Sequence, residues 1–273
     1  MAMLSENFKA LLKEAQFTLE MLGSGATQIR KANHTAKGIY FQALTSLSTE
    51  IERIGKLCLI LNHHIETGGK FPSYDQMKSE IGHDIEKIYG KSQDIITARS
   101  ISLEHLQNLD DPVHQAILRS LSNFAKGDRY SNINLVTGSK QTRDPIADWF
   151  NSVDTKIYET SVSDAKKAQI AQQAQVINNL IGDISYVLQS SETGDEINDL
   201  ETASRIAGAS ASIAPYRQLN VLQIIRYWTE LLRELQYMAH SGQSTDIPHF
   251  SEIFARFGND DIYLRSRKTW EKN

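Results

Sequence analysis

Apolar side chains recur in alternating steps of four and three along GIYFQALTSLSTEIERIGKLCLILNHHIE, at Tyr40, Leu44, Leu47, Ile51, Ile54, Cys58, Leu61 and Ile65. Because an α-helix completes a turn in about 3.6 residues, this spacing lays one continuous stripe along one helix face. A helix cannot cover its own stripe, so the chain must supply neighbours with matching faces. Two further segments do so. Ile170, Ala174, Ile177, Ile181, Ile184 and Leu188 form a second stripe, and Leu219, Leu222, Ile225, Trp228, Leu232 and Leu235 a third. The four-three alternation suits packing on nearly parallel or antiparallel neighbours. The first two stripes can be buried within the chain or across a two-fold axis between copies. No segment alternates with the period of a strand, and no internal repeat or low-complexity tract is present. The predicted fold is all-α, a helical bundle with long C-terminal helices.

Punctuation residues place the shorter elements. Helices are expected over 1–22, 83–98 and 112–125, the last opened by Asp111-Pro112 with proline at the first helical position. Gly68-Gly69 closes the first long helix, and Pro72 helps to start a short one. Pro215 is expected to mark the start of the third long helix and HSGQSTDIP its end. Asp144-Pro145 opens a helix bearing Ile146, Trp149, Phe150, Val153 and Ile157. Between them, KGDRYSNINLVTGSKQTRDP has no helical period and is predicted as a long loop, of the kind that tends to be functional or mobile. It gives a soft division into a helical region 1–140 and a C-terminal helical region 141–273. The two are expected to pack as one composite domain, because one-sided helices need each other.

Composition narrows the function classes. The net charge is −4, so a strongly basic, phosphate-neutralising surface is not expected, although a local basic patch remains open. The single cysteine, Cys58, excludes an intrachain disulfide and sits in the apolar run GKLCLIL, where it packs as a small hydrophobe. The longest purely apolar run, Leu57 to Leu61, is far below the roughly 20 residues that span a bilayer. The amphipathic N-terminus lacks the apolar core of a signal peptide. A cytoplasmic protein with no membrane partner is expected, and the glycosylation-type triplet Asn33-His34-Thr35 then has no meaning.

Few motifs carry chemistry. TGGK lacks the upstream glycine of a phosphate loop, and G-x-S-x-G and paired cysteine ligands are absent. His63 and His64, adjacent on a helix, point about 100° apart and chelate poorly. No metal or cofactor is expected. Arg233 and His240 lie seven apart, two turns along one helix, where an arginine can hold a phosphate and a histidine can move a ribose proton. With 13 arginines and 8 histidines, about one such spacing is expected by chance. His83 and Asp84 follow Gly82 and precede Ile85, Ile88 and Tyr89, which marks a helix start and permits a site. Arg129, Tyr130 and Asn132 stand in the long loop without an apolar partner, as either a capped turn or ligand contacts.

The helix ALTSLSTEIERIGKLCLIL followed by GHDIEKIY, and further on FAKGDRYSNIN, resembles the HEPN (higher eukaryotes and prokaryotes nucleotide-binding) superfamily over roughly residues 36–135. The resemblance implies an α-helical bundle, a homodimer, and a place in bacterial stress or phage defence. Antitoxin-like or nucleotidyltransferase partners are implied with it. It also implies metal-independent RNA cleavage wherever the family's arginine–histidine pair is present. Here only Arg233 and His240 match, with Glu234 as the polar residue after the arginine. Three readings follow. In the first, a dimeric module binds RNA, a nucleotide or a protein partner near His83, Asp84, Arg129, Tyr130 and Asn132. In the second, Arg233 holds the scissile phosphate and His240 is the general base of an endoribonuclease. The third is a purely structural dimerisation module.

Overall fold

The computed structural model describes residues 4–80, 82–242 and 244–271, and of Ser79 and Glu80 the backbone. Helices in chain order are α1 Glu6–Lys31, α2 Lys37–Glu66, α3 Tyr74–Glu80, α4 Ile85–Arg99, α5 Pro112–Lys126 and α6 Ser131–Val136. Next comes α7 Pro145–Trp149, which runs through a π-helical turn, Phe150–Asp154, into α8 Thr155–Ser161. Then follow α9 Asp164–Ile181, α10 Leu200–Ser241, α11 Phe250–Ile253 and α12 Asp261–Ser266. Strand structure among the described residues is one hairpin, β1 Gln189–Ser190 paired antiparallel with β2 Glu196–Ile197. The fold is therefore all-α. No helix among the described residues is long and apolar enough to cross a membrane.

The first stripe is the centre of the bundle. Tyr40, Leu44, Leu47, Ile51, Ile54, Cys58 and Leu61 are all buried, and α2 packs against α1, α4, α5 and α10. On α10, Leu222, Ile225, Trp228, Leu232 and Leu235 face the same core. Burying such side chains stabilises the fold by about 1.5–3 kcal/mol each. Helix starts follow their caps: Asp111 accepts from the amides of Val113 and His114, and Asp144 from those of Ile146 and Ala147.

The first helix is longer than expected at its C-terminal end, and the start of its predicted range, residues 1–3, lies outside the described residues. Gly23 and Gly25 do not break it, because they serve close approach. A Cβ on Gly23 would stand 2.2 Å from the carbonyl oxygen of Trp270, and one on Gly25 would stand 2.8 Å from Leu47. Helix favourability lost at glycine is offset by neighbours packed directly on the backbone.

Three expectations are corrected. The 126–144 segment is not a plain loop: a 3-10 turn at Asp128–Tyr130 leads into α6. Its helix has no apolar period because it buries only Ser131, leaving Ile133, Leu135 and Val136 exposed. Pro215 does not start the third long helix but lies inside α10, which starts at its N-cap Asp199, accepting from the Thr202 amide. Small residues upstream let α9 pack close, with Ile170 only 2.8 Å from where a Cβ on Gly208 would lie. A proline inside a helix removes one hydrogen bond and crowds the preceding turn, at about 3 kcal/mol. Pro215→Ala is therefore expected to raise stability by about 1–3 kcal/mol in urea unfolding, and a lower midpoint would mean that the helix needs its kink. The third correction concerns α9: the helix ends at Ile181, so Ile184 and Leu188 of the expected stripe lie beyond it, and within the chain only Ile170 and Ala174 of that stripe are buried.

A polar node ties the halves together. Arg217, fully buried, commits all five N–H donors: Nε and Nη2 to Asp154, Nη2 also to the Tyr40 hydroxyl, and Nη1 to the carbonyls of Ile29 and Ala32. The closest contact, Nη2 to Asp154, is 2.6 Å. Asp154 also accepts from Tyr40 Oη at 2.8 Å and from the Trp149 indole at 3.0 Å. Burial opposes the guanidinium charge and Asp154 more than restores it, so the Arg217 pKa lies above its ordinary value. The π-helical turn presents Trp149, Val153 and Asp154 to the core together.

Candidate functional site

The most unusual surface is the C-terminal end of α9. Beyond Ala174 the stripe leaves the bundle: Ile177 and Ile181 are exposed on α9, and Ile184 and Leu188 are exposed past its end, in a 3-10 turn and the non-helical segment that follows. Val176, Leu180 and Tyr186 join them, with Leu180 75%, Ile184 86% and Tyr186 88% exposed. From Ile170 to Leu188 the only charged residue is Asp183. Single exposed apolar residues are ordinary, whereas here seven fall within the thirteen residues from Val176 to Leu188.

The residues expected near a ligand fall into two places. Asp84 is the N-cap of α4, accepting from the Lys87 amide at 3.1 Å, and it meets Lys126 Nζ at 2.6 Å and Ser122 Oγ at 3.2 Å. Partial burial raises its pKa, but Lys126, the Lys87 amide and Ser122 together lower it further, leaving the carboxylate below its ordinary range. His83 is exposed and points to Glu52 of α2, with Nδ1 3.0 Å from Oε1. Both side chains thus have structural partners at a helix start.

Lys126 leads to the second place, an open recess of about 620 Å³ lined by Asn123, Lys126, Asp128, Lys140, Gln141 and Arg143 among others. Asp128 is buried and accepts from Gln141 Nε2 at 3.1 Å, and Arg143 Nε lies 3.8 Å from it. Arg129 and Tyr130 follow directly, with the guanidinium 5.1 Å from the Tyr130 ring centre and the ring half exposed. Asn132 is exposed on α6.

Arg233 and His240 each hold other partners. Arg233 Nε donates to Glu234 at 3.1 Å, and Nη1 lies 3.5 Å from Glu104. Partial burial lowers the Arg233 pKa, but Glu234, Glu230 and Glu104 raise it above its ordinary value. Three carboxylates around the guanidinium oppose the approach of a phosphate. His240 Nε2 lies 2.9 Å from the carbonyl of Ile247, and its ring packs on His249.

Near Arg233, Glu104, His105 and Glu230 bring one ligand atom each within 4.8 Å of one another, a grouping that sequence spacing did not reveal. Glu230 is buried and already accepts from the amides of Glu104 and His105, and its other oxygen lies 2.5 Å from His105 Nδ1. These bonds anchor the 100–110 segment to α10. Long-range pairs of this kind, 125 and 126 residues apart, leave no periodic signal in a sequence.

In comparisons with known proteins, the chain matches no protein-family model, and neither a curated protein nor a solved structure matches it significantly.

Proposed function

We propose that this protein acts as a homodimeric binding module, with the exposed end of α9 as its dimer face. The observation that carries this reading is the apolar group from Val176 to Leu188 left outside the bundle. A second copy suits it for three reasons. The helical part of the face, Val176, Ile177, Leu180 and Ile181 in the last turns of α9, can pair antiparallel with its own copy. With Asp183 the only charge between Ile170 and Leu188, two copies meet without strong like-charge repulsion. Antiparallel pairing also opposes the two helix dipoles. The HEPN resemblance, which implies dimers, supports the same conclusion. Sedimentation equilibrium from low to high micromolar concentration is expected to give twice the 30.8 kDa chain mass. A monomer mass at high micromolar concentration sinks the reading.

A second reading adds a ligand. Lys140 and the loosely paired Arg143 on one recess, beside the exposed Arg129–Tyr130 pair, suit a nucleotide or single-stranded RNA, while Lys126 on the same recess is held by Asp84. The cations would hold phosphates while Tyr130 stacks a base. Through the HEPN resemblance this reading extends to bacterial stress or phage defence, with an antitoxin-like or nucleotidyltransferase partner. Binding of a short labelled RNA, followed by anisotropy, is expected to weaken with salt. Lys140→Gln with Arg143→Gln is expected to flatten the logarithmic salt slope by about 1.4, since each phosphate contact on a single strand contributes about 0.7. An unchanged slope removes the recess from RNA binding. No RNA cleavage is assigned to Arg233 and His240, whose side chains hold other partners. Loss of a wild-type cleavage activity in the Arg233→Ala, His240→Ala double variant would reinstate the endoribonuclease.

A further inference from the structure

A cavity of about 320 Å³ lies between the π-helical turn, α8 and the first half of α10, and none of the residues expected to form a site lines it. Phe150, Tyr158, Ile206, Ala209 and Ile213 make its walls, with Asp154 and Arg217 also in the lining. The β1–β2 hairpin adds Glu192 from its turn. That hairpin is fixed to the bundle, with Gln189 Oε1 2.9 Å from His34 Nε2 and Lys37 Nζ donating to Ser190 Oγ at 3.0 Å.

Glu192 is 3% exposed, and its Oε2 has no hydrogen-bond partner among the described residues. Buried carboxylate oxygens ordinarily accept a bond, because the water they lose must be replaced. The cation beside it cannot serve: every N–H of Arg217 is already committed to Asp154, Tyr40 or the α1 carbonyls. Of the charged groups lining the cavity, Asp154 is paired with Arg217, which leaves the buried Glu192 and the exposed Arg205. Burial pushes the Tyr40 hydroxyl up, so it stays neutral. Arg205 is exposed and lines the same cavity.

We propose that this cavity binds a small apolar amine, whose ammonium group donates to Glu192 while its hydrocarbon body fills the space between Phe150, Tyr158, Ile206 and Ile213. The volume, at the low end for small-molecule sites, suits a single ring with a short chain. A free amine and an amino acid share this chemistry, and Arg205 would favour the one that carries a carboxylate.

Calorimetry on the wild-type chain with 2-phenylethylamine, phenylalanine and the neutral isostere 2-phenylethanol tests the site. Both ammonium compounds share the head group, and whichever binds tighter identifies the source. The better of them is expected to bind at least about tenfold tighter than the alcohol, the usual worth of a charge-assisted bond in a buried site. Glu192→Gln is expected to erase that preference while leaving alcohol binding unchanged, and Ile213→Trp to abolish both by filling the cavity. Should Glu192→Gln fail to fold, the wild-type comparison with Ile213→Trp still decides. No binding by either ammonium compound, binding no tighter than the alcohol, or a preference that survives Glu192→Gln or Ile213→Trp overturns the proposal.

Discussion

Arg217→Ala is expected to cost about 3–5 kcal/mol of folding stability, the usual effect of removing one partner of a buried ion pair. The substitution strips Asp154, 1% exposed, of its two guanidinium bonds and leaves a buried carboxylate with only Tyr40 and the Trp149 indole. It also frees the carbonyls of Ile29 and Ala32. Replacing both partners, Arg217→Met with Asp154→Leu, removes the uncompensated charge and is expected to recover part of the loss. Urea unfolding midpoints at a constant slope measure both. A cost below about 1 kcal/mol for the single variant would be typical of a solvent-exposed pair and inconsistent with the burial described.

The second large effect is on assembly. Leu180→Glu with Ile184→Glu is expected to weaken the dimer at least about hundredfold, since each protomer loses two apolar side chains worth about 1.5–3 kcal/mol when buried and gains two like charges at the interface. Both positions are exposed within one chain, at 75% and 86%, so the stability of the monomer should change by no more than about 0.5 kcal/mol. Sedimentation separates the two readouts. A double variant that remains dimeric places the contact elsewhere, and one that unfolds shows that the α9 end supports the monomer.

Much of the fold was legible in the sequence because helices announce themselves locally. The Tyr40 to Leu61 stripe, the Asp111-Pro112 and Asp144-Pro145 starts and the part of the long C-terminal helix beyond Pro215 follow from spacing and caps. Periodicity has a limit, however: the α9 stripe is as regular as the α2 stripe, yet only its first two members are covered within the chain. A pattern identifies an oily face and is silent about what lies against it. Helix boundaries misled for a related reason. Pro215 read as a helix start and the first helix was expected to stop at Leu22, and the packing around α10 and α1 carried both helices further. Of the candidate site, Tyr130 was recognised as a surface residue, and Asp84 as the residue at a helix start. Glu192 was not recognised, since a carboxylate in a polar turn looks solvated until the hairpin folds over the bundle.

Arg217 also sets the order in which the chain can assemble. The carbonyls that end α1, at Ile29 and Ala32, receive their donor from a residue 188 and 185 positions later. A growing polypeptide that has only begun α10 has made every partner of that guanidinium but not the guanidinium itself. The N-terminal helices therefore emerge from the ribosome with their tertiary anchor still unsynthesised, and their final locking is a late event in biogenesis.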